Sequence, residues 1–199
     1  MYSTISFILI LAAVSAYGLI HSWLASLTVK EWVRRRLGQT ARRFYRLVYN
    51  LFAVVSLLPV LALPALLPDE RLYTIPLPWS AGLLGLQSAA LLILFAGLIQ
   101  TGLWSFLGLR QVLSGPEADS QLVVKGMYRW VRHPLYSAAL AFIWAIPLMT
   151  RNLLALNLGL TVYLIAGAWL EERKLLHKFG KAYARYREST PMFIPKLRR

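Results

Sequence analysis

The chain of 199 residues has no cysteine. Disulfides, thiolate metal sites and cysteine nucleophiles are therefore excluded. Histidine is scarce. His21, His133 and His177 are scattered and give no HExxH or other metal-ligand spacing, so no metal is expected. Acidic residues number 8 against 22 Lys and Arg. Glycines do not fall in a GxGxxG pattern, and GxSxG does not occur, which removes a Rossmann fold and a nucleophile elbow. Internal repeats and low-complexity tracts are absent as well.

What is present is apolar. Hydrophobic residues make up 58% of the chain and mean hydropathy is +0.54. A soluble domain of this size has too little interior for so much apolar surface. Five apolar segments stand out, at about residues 5–27, 47–67, 79–107, 135–149 and 153–170. A span takes roughly 20 apolar residues, and about 17 at the least, so the fourth segment is short. The run after Met1 lacks a basic n-region and a small-residue cleavage site, and is expected to stay as the first span. No soluble catalytic domain is recognisable, so chemistry falls to helices and short loops.

Basic residues flank these segments unevenly. Seven lie between Lys30 and Arg46, four between Arg110 and Arg132 and nine from Arg173 onward, against only Arg71 and Arg151 in the other two connections. That asymmetry predicts an outside N-terminus and a cytoplasmic C-terminus. The net charge of +14 points to anionic headgroups of the bilayer rather than nucleic acid, because the cations flank apolar runs instead of forming a soluble basic face. Turns are expected at Pro68–Arg71 on the outer side and in the polar loop Ser114–Ser120 on the inner side. The expected architecture is an all-α integral membrane bundle: five transmembrane helices and a C-terminal amphipathic interfacial helix. It forms one domain over residues 1–199. Helices one to three occupy residues 1–110, and residues 111–199 hold the helical hairpin and C-terminal helix.

Candidate chemistry collects on the cytoplasmic side. In Arg132-His133-Pro134, proline holds His133 extended and begins a helix whose free N–H groups, with Arg132, attract an anion. The competing reading makes Arg132 a headgroup anchor and His133 a cap. Glu171 and Glu172 follow at the end of the fifth segment, where the helix dipole disfavours carboxylates. They suit an ammonium or a diol, or pair with Arg173, Lys174 or Lys178. Glu172, Leu176, Phe179, Tyr183 and Tyr186 are spaced as one helical stripe, which reads as an interfacial helix or as the roof of a pocket. His21, Trp104 and Arg110 lie at the same membrane side on earlier helices.

In order along the chain, Leu122-Val123, Gly126-x-Tyr128, Arg132-His133-Pro134-x-Tyr136, Glu171-Glu172-x-x-Leu175, Phe179-Gly180-x-x-Tyr183-x-x-Tyr186 and Pro191-x-Phe193-Ile194-Pro195 resemble the isoprenylcysteine carboxyl methyltransferase and phospholipid methyltransferase superfamily. Many relatives carry Gly where this chain has Ala138. His21-Ser22, Ala25-Ser26, Gly38 and Tyr45-Arg46-x-x-Tyr49-Asn50 look like the start of NnrU-like and methanethiol methyltransferase-like chains. The resemblance implies S-adenosylmethionine as methyl donor. It implies cofactor contacts from Leu122, Val123, Gly126, Tyr128, Arg132, His133, Tyr136, Glu171, Glu172, Phe179 and Tyr183. Arg132 or Arg110 would steady an anionic acceptor. His21, Trp104, Phe142 and Trp144 are candidates for holding a small or lipophilic acceptor, with a thiol or isoprenylcysteine-type carboxylate favoured. A phospholipid amine acceptor, an NADPH-dependent sterol-type reductase and an NnrU-like accessory protein stay open as alternatives.

Overall fold

The computed structural model describes residues 2–100, 102–114 and 122–196. Most of the expected inner loop, residues 115–120, lies outside them. Eight α-helices, a 3-10 turn and two short strands follow one another among the described residues. The helices are α1 (Tyr2–Leu24), α2 (Leu27–Leu66), α3 (Trp79–Gln100), α4 (Leu103–Leu107), α5 (Leu109–Ser114), α6 (Pro134–Trp144), α7 (Arg151–Phe179) and α8 (Lys181–Ser189). Strand β1 (Arg71–Thr74) precedes α3, β2 (Leu148–Thr150) precedes α7, and the 3-10 turn covers Gly126–Arg129.

Among the described residues, four helical stretches are long and apolar enough to cross a membrane: Tyr2–Leu24, Arg43–Leu66, Trp79–Gln100 and Arg151–Phe179. Their large side chains are mostly exposed, Leu58, Leu92 and Val162 among them, which fits a lipid environment. The stretch expected as a fourth span is different in kind. α6 has only 11 residues, about 16 Å at 1.5 Å per residue.

The chain divides into two compact units. In the first (residues 1–73, 100–119 and 149–160), α1 and the start of α7 run in the same direction. The Arg151 guanidinium donates to the Ser3 hydroxyl at 3.2 Å, and Gly159 receives Val14 so closely that a Cβ there would collide with it. Ile10, Val14, Val60, Ala155 and Leu156 form the core. Buried Asn152 ties the start of α7 to the end of α2. Its side-chain amide donates to the Leu67 and Pro68 carbonyls at 3.2 Å, and its N–H donates to Asp69. The expected outer turn at Pro68–Arg71 is thus bound to the head of α7. Gly38, at φ 79, breaks α2 within its basic stretch, ahead of the span that follows.

In the second unit (residues 74–99, 120–148 and 161–199), α6 and its continuation lie along α3. Leu135 packs on Gly97, where even a methyl group would collide with it. The Gln87 amide donates to the Phe142 carbonyl at 3.1 Å, and the Ile75 N–H donates to the Pro147 carbonyl at 2.8 Å. Residues 135–147 therefore follow α3 from its last turn to ahead of its first. Helix α6 makes the first part of that path and non-helical chain leading to β2 the rest.

One expected element is corrected. The stripe from Glu172 to Tyr186 does not lie on a single helix. α7 runs on to Phe179, Gly180 turns at φ 50, and α8 begins anew at Lys181. Glu171 and Glu172 accordingly sit two turns inside α7 rather than at its end, where the C-terminal dipole acts weakly on them.

Candidate functional site

Pro134 is the first residue of α6; His133 before it, at φ −125 and ψ 64, is not in the extended conformation expected ahead of a proline. The N–H groups of Arg132 and His133 do not face an open anion site. They donate to the Pro191 and Met192 carbonyls at 2.8 and 3.1 Å. The Ser137 hydroxyl donates to the Phe193 carbonyl at 2.7 Å. The Pro191–Phe193 stretch is thereby laid against the head of α6. The Phe193 and Tyr136 rings stand 5.9 and 5.4 Å from the His133 imidazole.

Glu172 is the hub of the cluster. Its Oε1 accepts from Arg132 Nε at 2.6 Å and lies 3.2 Å from His133 Nε2. Its Oε2 lies 3.3 Å from Arg187 Nε. The carboxylate is 7% exposed and the Arg132 side chain 10%, so the pair is enclosed by protein and Arg132 is no headgroup anchor. Neither Arg173, Lys174 nor Lys178 is needed to balance Glu172. Arg132 Nη1 also donates to the carbonyls of Arg187 at 3.2 Å and Thr190 at 2.5 Å. Glu171 is its opposite: 47% exposed, with Oε2 3.9 Å from His133 Nδ1. His133 thus stands between a buried carboxylate and a half-exposed one.

Tyrosines surround this cluster. Tyr183 is buried, and among the described residues its hydroxyl has no hydrogen-bond partner. Burial, and then the Glu172 carboxylate, push that phenol up to about 12 despite Arg132. The Tyr186 hydroxyl donates to the Tyr128 carbonyl at 2.6 Å, and burial is the main cause that pushes it up to about 12. Tyr128 is raised by burial and by Glu171. An open cleft of about 1190 Å³ lies beside the cluster, between the segment Leu122–Trp130 and α8 with the chain after it. Arg129, Arg185 and Lys196 bring charge to it, Trp130 an aromatic face, and Tyr186, Ser189 and Thr190 hydroxyls.

Of the residues picked out by sequence, Arg132, His133, Tyr136, Glu171, Glu172, Tyr128 and Tyr183 come together in the second unit, and Leu122 and Gly126 line the adjoining cleft. Val123 is exposed, and Phe179 carries Lys178 over its ring at 5.4 Å. Phe142 and Trp144 lie 9 and 11 residues beyond His133, about 13 and 16 Å along α6. The Trp144 indole N–H donates to the Thr161 hydroxyl at 2.9 Å. His21, Trp104 and Arg110 belong to the first unit. There His21 Nε2 is 2.6 Å from the Tyr49 hydroxyl, with Tyr17 stacked on its other side. Sequence reasoning missed Arg187, Thr190 and Ser137. Nothing local in their sequence marks them, since each gains its role from a segment 15 to 58 residues away.

The phospholipid methyltransferase family model matches residues 85–182. Over 186 residues the chain is 31% identical to the methanethiol S-methyltransferase of a Pseudomonas species, covering 88% of this chain and 68% of that one. It is 30% identical over 196 residues to methanethiol S-methyltransferase 2 of Bradyrhizobium diazoefficiens, covering 94% and 72%. A shorter likeness, 33% over 96 residues, joins it to the protein-S-isoprenylcysteine O-methyltransferase of Xenopus laevis, over 44% of this chain and 32% of that one. No solved structure matches the chain.

Proposed function

The chain belongs to the phospholipid and isoprenylcysteine methyltransferase family, and from that premise we propose that it methylates a thiol at the membrane with S-adenosylmethionine as donor. The observation that carries the choice of acceptor is the likeness along nearly the whole chain to proteins named methanethiol S-methyltransferase. The isoprenylcysteine carboxylate is the second acceptor, supported by the shorter likeness. The relatives cited support neither a reductase nor an accessory protein.

The residues fit such a donor. It carries an ammonium, a carboxylate, a ribose diol, an adenine and a sulfonium. The cluster offers a half-exposed carboxylate on Glu171 and the buried hydroxyl of Tyr183, which has no partner among the described residues. A buried hydroxyl left without a partner costs about 1–3 kcal/mol, which a polar ligand group would offset. The cluster of His133, Glu171 and Glu172, with Arg132 bracing Glu172, is proposed to receive the amino-acid end. Tyr128, Tyr136, Phe179 and Tyr183 would surround the sulfonium and ribose, and Leu122, Val123 and Gly126 the adenine side. Tyrosine faces suit a cationic sulfonium. When bound, the donor supplies an electrophilic methyl group. The protein's share is to hold acceptor and donor in line and keep water away, which accounts for most of what such a transfer requires. Phe142 and Trp144 are proposed to line the approach of the acceptor.

We further propose that the chain is one membrane domain with five crossings. The fourth is α6 plus the non-helical residues to β2, because residues 135–147 run the length of α3. A 22-residue α3 is about 33 Å long, enough for the hydrocarbon core. Non-helical chain at that depth is tolerated where protein covers it, and Ala145 and Met149 are buried. α8 is the interfacial helix of this arrangement. The N-terminus lies outside, with the C-terminus and donor site cytoplasmic.

The test uses purified protein in detergent or nanodiscs. Binding of S-adenosylhomocysteine but not NADPH is expected, with label from the donor appearing on methanethiol. Donor binding with transfer only to a phospholipid amine would replace the thiol by a lipid acceptor. NADPH binding in place of S-adenosylhomocysteine would end the methyltransferase reading.

A further inference from the structure

Helix α8 forms one wall of the cleft, yet little in its own sequence holds it. It has nine residues, too few to be stable alone. It is joined to α7 through Gly180, where nothing stands within 4 Å of a would-be side chain. Its position comes from bonds to other elements. Arg132 Nη1 grips the Arg187 and Thr190 carbonyls at the end of α8. Such terminal carbonyls lack helical partners and carry the negative end of the dipole, so a guanidinium caps them and complements their charge. Arg132 Nε holds Glu172 on α7, and Glu172 reaches back to Arg187 on α8. At the cleft itself the Tyr186 hydroxyl ties α8 to the Tyr128 carbonyl.

We propose that Arg132 is a positioning residue: it acts through α8, pinning the helix against α7 so that the cleft keeps its width, rather than by touching the donor. The proposal rests on the donor reading above and assigns one member of that cluster its part. Two of the three guanidinium nitrogens are committed to protein acceptors, and all of those acceptors belong to the end of α8, the residue after it, or α7. Once the pin is released, α8 turns about Gly180 and the two cleft walls separate. Arg187, which no sequence signal marked, is the other half of the pin.

A comparison of two ligands on the full chain decides. One is S-adenosylhomocysteine; the other is the same molecule without its carboxylate. Arg132→Gln and Arg187→Gln are each expected to weaken both ligands alike, by about 10-fold for the loss of a charged hydrogen bond. Amide exchange in residues 181–193 should quicken in the absence of any ligand. Loss confined to the carboxylate-bearing ligand, with exchange in 181–193 unchanged, overturns the proposal and makes Arg132 a direct donor contact. Should Arg132→Gln fail to fold, Tyr186→Phe serves. It removes a neutral bond between α8 and Tyr128, and it should give a smaller, ligand-independent loss with faster exchange at 181–193. Unchanged exchange in that variant and in Arg187→Gln also counts against the pin. Were the unmodified protein to bind neither ligand, the donor reading would fail, and exchange in 181–193 alone would judge the pin.

Discussion

Glu172 accepts from the Arg132 guanidinium, pairs with the half-exposed Arg187 and faces an imidazole, so its removal leaves Arg132 buried without its counter-charge. Breaking a buried pair of this kind costs about 3–5 kcal/mol. Glu172→Ala should therefore lower stability by that order, read as reversible unfolding in mixed detergent. Glu171→Ala, at a half-exposed site, should cost under about 1 kcal/mol. Equal losses in the two variants would contradict the division between buried hub and open carboxylate. Tyr183 allows a different contrast. Its hydroxyl has no partner among the described residues, so Tyr183→Phe gives up no hydrogen bond there. Stability is expected to hold or rise by about 1 kcal/mol, while S-adenosylhomocysteine affinity falls if the donor uses that hydroxyl. Unchanged affinity measured by calorimetry would remove Tyr183 from the site. The same phenol predicts an alkaline limit. With its folded value pushed up to about 12 from 10.0, it holds its proton more tightly in the native state. The stability it contributes is whole below pH 10 and drains away as pH rises from about 10 to 12. Absorbance of the phenolate should show Tyr183 and Tyr186 titrating late, and Tyr183→Phe should flatten the decline.

At the scale of elements, the close approach of α6 to α3 depends on one missing side chain. Leu135 occupies the space a Cβ on Gly97 would take. Gly97→Val should push the two apart and cost about 1–3 kcal/mol by overpacking. A melting profile like that of the unmodified protein would show that this contact does not hold α6. Gly180 makes a cleaner backbone test, because its surroundings are open. Gly180→Ala meets only the strain of a positive-φ backbone (φ 50, ψ −124), about 1–3 kcal/mol. That strain should appear as faster exchange in α8, with α7 unchanged.

The whole molecule is expected to sit with the β1–α3 connection outside and α8 in the cytoplasm. With no native cysteine, single introduced cysteines report cleanly. Leu77→Cys, at an exposed position ahead of α3, should react with an impermeant reagent from the outer side of intact cells. Lys181→Cys should react only after permeabilisation. The reverse pattern would invert the orientation and place the proposed donor site outside.

Patterns local in the chain were legible without coordinates. Apolar runs located the four long spans, because the bilayer's thickness fixes their length whatever they pack against. The Arg132-His133-Pro134 signature located the start of α6, because proline's fixed geometry acts on its own neighbours. The carboxylate pair stood out because charges at the end of an apolar run are costly. The different work of Glu171 and Glu172 was not legible. The two are adjacent and alike, and only the arrival of Arg132 and Arg187 from 40 and 15 positions away separates them. The break of α7 at Gly180 was hidden for a related reason. Glycine permits a left-handed turn without compelling one, and what settles α8 in its place is the grip of Arg132 on its last carbonyls. Periodicity and hydropathy are properties of neighbours in the chain. A buried ion pair is a property of neighbours in space, and it came into view only when α6, α7 and α8 were brought together.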